Sequence, residues 1–341
     1  MNAVRLIRQG ESLVVEEVPV PLPGPGEVLV RLEACGVCHS DLHIRSGDEL
    51  VDSGTLPLTL GHEGVGLIEE TGSGVTGLSV GDRVGVPWLH DTCLRCRDCL
   101  SGHESVCVKQ RAHGMQVDGA FAEYVVVKEG FTVGIPDELD PIAAAPLLCA
   151  GVTAYGAIKR AQLEPGLTCV ILGCGGLGQY GIQFARLTGA RVIAVDNDQS
   201  RLDVARRLGA NECYMSNDST ARKINMGGGA DAFVNFAPTS EIWGIVESSL
   251  RNRGRFVSVA MPTERVAMSL SWLTNVTPVI TGSSVGGRLD LSDMLTLAAK
   301  NGINIPVERI ELSDVDRALD RLAGHPNEEA VEGRLVVDFS M

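Results

Sequence analysis

Two groups of residues in this chain have the types and spacing to do metal chemistry. Cys93, Cys96, Cys99 and Cys107 form a C-x2-C-x2-C-x7-C run. Four thiolates so spaced can close a tetrahedron around one zinc ion and hold a lobe that has few apolar residues of its own. An iron–sulfur cluster is the rival occupant, but its ferredoxin run ends in a three-residue gap followed by Pro. Here the last gap is seven residues and Val108 follows, so a structural zinc is expected. The second group lies in residues 34–43, ACGVCHSDLH, where Cys38, His39, Ser40, Asp41 and His43 bring a thiol, two imidazoles, a hydroxyl and a carboxylate together. Placing these groups in or near a core is costly unless each has a use. Cys38 is therefore expected to bind zinc, with its neighbours handling protons and a cofactor phosphate. A polar turn around one buried Cys is the other reading of the same residues.

A third motif has the spacing to bind phosphate rather than metal, a glycine-rich turn without ligand being the other reading. Gly173-Cys-Gly-Gly-Leu-Gly178 follows the apolar run Cys169–Leu172 and opens an amphipathic stretch, Leu177 to Leu187, that stops at Gly189. Glycines at Gly173, Gly175, Gly176 and Gly178, with Leu177 between, let backbone N–H groups approach a pyrophosphate at a helix N-terminus, where the dipole favours an anion. A second strand, Arg191–Val195, ends at Asp196, 18 residues past Gly178. That is where a carboxylate accepts hydrogen bonds from an adenosine ribose. Asp196 would repel a ribose 2′-phosphate, so NAD is expected over NADP.

These motifs need a scaffold, and the chain has length enough for two domains at 341 residues. With 40 Gly and 4% aromatics, the composition fits a turn-rich α/β protein. Residues 1 to about 148 read as short strands between glycines and prolines, including Leu13–Val15 and Val28–Leu32. Beyond them, strands and helices alternate: helix Ser200–Leu208, strand Ala232–Phe236, helix Glu241–Leu250, strands Arg255–Val259 and Pro278–Thr281. Such βα units predict a doubly wound parallel sheet. Leu291–Ala299 reads as a further helix, and the tail Gly333–Asp338 as a strand returning to the first domain.

The net charge of −14 argues against nucleic acid as a partner, since phosphate neutralisation needs a basic face. Pro141 to Ile158 carries no charge over 18 residues, but its two prolines, its glycines and its many alanines read as a buried connection and helix rather than a membrane span. The N-terminus has no apolar signal core, so a cytoplasmic location is expected. Ten cysteines in such a chain indicate metal or thiol chemistry rather than disulfides. Cys169, Cys174 and Cys213 lie in or beside apolar runs and read as small core residues.

Taken in order, Cys35–His43, Gly61-His-Glu-Gly-Val-Gly66, the four-Cys lobe, Leu148–Tyr155, Gly173–Gly178, Gly282–Gly286 and Gly333-Arg334 resemble a zinc-dependent medium-chain alcohol dehydrogenase of the microbial tetrameric kind. The resemblance covers essentially the whole chain. It implies a β-rich GroES-like catalytic domain (1–148 and 286–341), a Rossmann NAD-binding domain (149–285) and a homotetramer.

It also joins Cys38, His62 and Cys149 as ligands of a catalytic zinc. On the residues alone, His62 is as readily a turn residue and Cys149 a core thiol. By the same resemblance, zinc acts as a Lewis acid on an alcohol oxygen and hydride passes to nicotinamide. Ser40 and His43 then carry the proton out, and Asp41 orients His62. Glu63 sits behind the metal, and Cys35 drops back to packing. His39 and Arg334 face the cofactor pyrophosphate, and Arg201 the adenosine ribose. Thr153, Val259, Met261, Ser283 and Val285 lie near the nicotinamide.

Two departures bear on substrate. Ile44 and Arg45 follow His43 where ethanol-type relatives carry a Trp, and Ser284 stands where the family has Tyr, while Trp88 is kept. A pocket wider than an ethanol enzyme's is expected. A polyol or amino-alcohol dehydrogenase is disfavoured by Cys149, where polyol enzymes commonly place a carboxylate. A non-enzymatic zinc and dinucleotide binder would have no need of Ser40 and His43.

Overall fold

In the computed structural model, which describes residues 1–49, 51–325, 328 and 331–341, the segment Glu27–Gly36 forms a ten-residue strand. Val28, Val30, Leu32 and Cys35 along it enter one apolar core with Val4, Leu60, Phe121 and Leu335. Along one edge the strand pairs antiparallel with Gly64–Thr71. Along the other it pairs first with Tyr124–Lys128 and then, at its end, with Arg334–Asp338. The chain tail thus returns to the strand that leads into the Cys38 region, as its sequence predicts. A separate three-stranded sheet joins Asn2–Leu6 to Val14–Glu17 and Leu58–Thr59.

The chain divides into two compact units, Met1–Cys149 with Gly286–Met341, and Ala150–Val285. The division falls just after Cys149, which goes with the first unit. In the second unit a six-stranded sheet runs in the order Glu212–Met215, Arg191–Asp196, Thr168–Leu172, Ala230–Asn235, Leu250–Ser258 and Val279–Gly282. All its pairings are parallel, the doubly wound arrangement that the alternating elements predict. The strand order reverses beside Thr168–Leu172, the strand that feeds the glycine loop. The expected helix Glu241–Leu250 is shorter, Trp243–Ser249, because Leu250 already begins the next strand.

Among the described residues no single helix is long and apolar enough to cross a membrane. The uncharged run from Pro141 breaks into a four-residue helix, a 3-10 turn over Ala145–Leu148 and the helix Ala150–Ala161, most of it buried.

An ion pair helps fasten the four-Cys lobe to the rest of its unit. Glu104 lies in the turn before Cys107 and is almost wholly buried. Its carboxylate takes Arg288 Nε and Nη2, both at 2.9 Å, and the Arg288 backbone N–H at 2.7 Å. Arg288 also donates to the Gly130 carbonyl and lies over the Phe131 ring at 4.7 Å. Arg288→Ala leaves Glu104 short of its cation, which costs about 1–3 kcal/mol. A lower thermal midpoint by circular dichroism, partly restored by adding Glu104→Gln, is the expected result.

Candidate active site

The strand Glu27–Gly36 ends beside the helix His39–Ser46, and Cys38 caps that helix from an extended backbone (φ −118°, ψ 155°). Asp41, on its first turn, is fully buried. Its Oδ2 accepts the Cys38 N–H at 3.0 Å, while Oδ1 accepts the Gly61 N–H at 3.1 Å and lies 3.2 Å from His62 Nδ1. Gly61 is required here: its φ is +94°, and a Cβ would sit 2.8 Å from the Phe121 ring. Because a carboxylate only accepts, Nδ1 of His62 carries the hydrogen. Nε2 is then left without a protein partner in a fully buried ring.

Cys149 follows the 3-10 turn Ala145–Leu148, and its Sγ lies 3.9 Å from that of Cys38. Ligand atoms of Cys38, His62, Glu63 and Cys149 all fall within 4.8 Å of one another. Glu63 Oε1 is ion-paired with Arg334, which also donates to the Val37 carbonyl at 3.0 Å. Arg334, expected at a cofactor phosphate, is placed here beside Glu63 of the ligand group. Burial pushes the Glu63 carboxyl up to about 8, against the opposing pull of Arg334.

Sharing one negative charge with Cys149 draws the Cys38 thiol well down and pushes that of Cys149 well up. A divalent cation lets both ionise. Two thiols, an orphaned imidazole nitrogen and a nearby carboxylate fit zinc in its catalytic ligation, with one position left for a substrate. Cys35, fully buried with its thiol raised chiefly by burial, lies outside this ligand group.

The second cluster behaves in the same way. Cys96 Sγ lies 3.4 Å from Cys99 Sγ, and Cys107 Sγ lies 3.6 Å from Cys93 Sγ. Backbone N–H groups of Cys96, Cys99 and Lys109 point at the Sγ atoms of Cys93, Cys96 and Cys107. Hydrogen bonds from the Arg95 and Cys96 main chain draw Cys93 down to about 6, while its thiol neighbours drive Cys96 up to about 11. The helix Arg97–Leu100 between these ligands buries none of its side chains. A metal is the natural core for such a lobe.

Ser40 and His43 are three positions apart on the site helix and share a face. His43 Nδ1 is 3.1 Å from Asp48 Oδ2, with the ring half-exposed. His39, the first helical residue, is exposed. Ile44 is fully buried in the core. Arg45 turns to the helix Val315–Leu322 and bonds Asp316 Oδ1 at 2.8 Å and Asp320 Oδ1 at 2.7 Å. No local pattern foretells that pairing, since 271 and 275 residues separate the partners.

In the second unit, Gly173–Gly178 leads from the strand Thr168–Leu172 into the helix Gly176–Leu187. A Cβ at Gly178 would lie 1.9 Å from the Gly173 carbonyl oxygen. Asp196 ends its strand and is buried. Its Oδ2 accepts the Cys174 N–H at 2.6 Å and its Oδ1 the Asp198 N–H at 3.0 Å, with Arg201 Nη1 4.0 Å away. The carboxylate therefore shapes the glycine loop. Thr153 is buried, and Ser283 Oγ is buried without a partner. Val285 adopts φ +46°, Met261 is exposed, and the Val259 N–H bonds the Asn235 carbonyl.

Known proteins share this architecture and its sequence. The model of the alcohol dehydrogenase GroES-like domain matches residues 24–137, and that of the zinc-binding dehydrogenases matches residues 176–300. An alcohol dehydrogenase of Geobacillus stearothermophilus is 41% identical over 340 residues, covering 99% of each chain. One from Moraxella sp. (strain TAE123) is 39% identical over 346 residues, covering 100% of each. The solved alcohol dehydrogenase of Aeropyrum pernix superposes with a TM-score of 0.87 at 30% identity, over 99% of this chain and 100% of that one.

The two ligand clusters should be separable by substitution. Cys38→Ala should lower bound zinc from two ions to one per chain, measured by elemental analysis, and abolish alcohol oxidation while circular dichroism stays unchanged. Undiminished zinc with full activity would remove Cys38 from the site.

Proposed function

The chain belongs to the zinc-binding alcohol dehydrogenases, and on that premise we propose that it is an NAD-dependent enzyme with one catalytic and one structural zinc, interconverting alcohols with aldehydes or ketones. The observation that carries this reading is the convergence of Cys38, His62 and Cys149, with His62 Nε2 buried and unpartnered. When bound there, zinc supplies a Lewis acid for the alcohol oxygen and NAD the hydride acceptor.

The chain's own groups do the rest. Asp41 keeps His62 in the tautomer whose Nε2 can ligate. Glu63, held by Arg334, adds a carboxylate behind the ligands. Ser40 receives the hydroxyl proton and His43 passes it to water, beside the Asp48 carboxylate. Cys93, Cys96, Cys99 and Cys107 hold the second zinc, whose work is structural.

For the cofactor, the glycine loop and the N-terminus of Gly176–Leu187 offer N–H groups to the pyrophosphate, with His39 and Arg334 also set toward it. Asp196 and Arg201 meet the adenosine ribose. Thr153, Val259, Met261, Ser283 and Val285 serve the nicotinamide half. The NAD preference follows from Asp196, whose charge repels a 2′-phosphate. A homotetramer is part of the same proposal. The terminal strand Val279–Gly282 leaves Val279 and Ile280 exposed on a sheet edge that is unpaired among the described residues, the kind of edge that recruits another chain. Ten free cysteines support a reducing, cytoplasmic setting.

We further propose that the alcohol lies along Trp88, which stands edge-on to His62 with ring centroids 4.9 Å apart. Positions 44 and 45 leave room: Ile44 is committed to the core and Arg45 to Asp316 and Asp320. Longer or aromatic alcohols should therefore exceed ethanol in kcat/KM by about tenfold or more, each buried methylene being worth roughly 0.8 kcal/mol. A clear preference for ethanol would end this part of the reading.

Cofactor choice has its own test. Asp196→Ala should raise KM for NAD about tenfold or more, since a hydrogen bond to a charged group is worth about 1.5–3 kcal/mol. It should also narrow the gap to NADP in steady-state assays. An unchanged NAD/NADP ratio would take Asp196 out of that role.

A further inference from the structure

Against the main chain of Trp88, whose indole packs on His62, lies a pair of imidazoles that the proposed chemistry does not use. His113 is fully buried and His90 nearly so. Nδ1 of His113 is 2.8 Å from the Pro87 carbonyl oxygen. A carbonyl can only accept, so Nδ1 carries the hydrogen and Nε2 is bare. That Nε2 is 3.0 Å from Nδ1 of His90, which must then be the donor. One carbonyl therefore sets the tautomer of both rings. Burial holds both uncharged, drawing His113 down to about 3 and His90 below its ordinary value.

The pair grips one short piece of main chain. While its ring holds the Pro87 carbonyl, the His113 backbone N–H donates to the next carbonyl, that of Trp88, at 2.9 Å. His90 lies in the strand Leu89–Asp91, which pairs with Arg111–Ala112 just before His113. The two rings thus bridge both strands of this ribbon, edge to face at 4.8 Å and 85°. The peptide they fix carries the Trp88 indole, which stands at 88° to the His62 ring. Buried polar groups destabilise unless fully satisfied. An apolar pair could fill this space, but it could not hold two successive carbonyls in direction.

We propose that the His90–His113 pair is a specificity-determining device, acting through the Pro87–Trp88 main chain to set the indole beside His62 and so the shape of alcohol that fits. Both are positioning residues, and the inference rests on the alcohol lying along Trp88 as proposed above. The discriminating measurement is the ratio of kcat/KM for 1-hexanol or benzyl alcohol to that for ethanol, at saturating NAD and with zinc content checked. A merely structural role lowers the active fraction and scales every alcohol alike, leaving the ratio fixed.

His113→Leu, which removes both ring hydrogen bonds, should shift the ratio by about tenfold, the scale on which a hydrophobic pocket discriminates one methylene. His113→Asn, whose amide can still reach the Pro87 carbonyl, should fall nearer wild type. If His113→Leu does not accumulate folded, His90→Leu decides on the same ratio, since it removes the donor to His113 and leaves the rest. A uniform loss across alcohols in these variants overturns the inference. A wild-type protein that oxidises no alcohol overturns instead the reading on which it rests.

Discussion

The Asp41 carboxylate is buried completely, and the metal site depends on what surrounds it. A carboxylate in such a place is tolerated only when hydrogen bonds replace its water. Here they come from Cys38 N–H at the head of the helix, Gly61 N–H in the loop after the strand Leu58–Thr59 and His62 Nδ1–H. Each of these donors belongs to a ligand or to its neighbour. The bonds that satisfy the charge therefore also set the approach of Cys38 to His62 and the direction of Nε2. Removing the carboxylate would leave two main-chain donors buried and the ring free to turn.

The remaining ligand comes from a distant part of the chain. Cys149 is the last residue of the first unit before the chain crosses into the second, and the chain rejoins the first at Gly286. The returning segment supplies Arg334, whose strand pairs with residues 34–36 and whose guanidinium meets Glu63. Completing the site thus requires both ends of a long excursion to have folded. Metal binding reports on the whole first unit rather than on one motif, because binding free energy gained only in the folded site is also folding free energy.

What could be read from the sequence follows from chain distance. The four-Cys lobe and the glycine loop carry their chemistry within 15 residues or fewer, so spacing alone identifies them. The grouping of Cys38 with His62 and Cys149 has no local signature and came from resemblance, although the fold brings the three together. The His90–His113 pair and the Arg45 bonds to Asp316 and Asp320 carried no signal, since the partners meet only through packing. Among the elements, Leu270–Val276 has Leu270, Leu273 and Val276 at helical spacing, yet none of its side chains is fully buried and its packing runs through Trp272. Val315–Leu322 has a stripe at Val315, Ala318 and Leu319, but its part in the site, through Arg45, appears only in three dimensions. Leu250 shows the opposite difficulty, an apolar residue that suits a helix end and a strand start equally.

The two cysteine clusters show why ligand chemistry alone does not decide role. Both hold thiols that cannot all ionise without a cation, and both answer by splitting their titrations. The four-Cys lobe buries little else, so a cation there replaces a missing core and leaves no position open. The Cys38 cluster lies in a finished core, where Asp41, the Glu63–Arg334 pair and the Trp88 ring are already in place. A cation there would meet three ligands, the number that leaves a position open. The proposed division of structural and catalytic work between two centres of similar side chains thus rests on the residues around them.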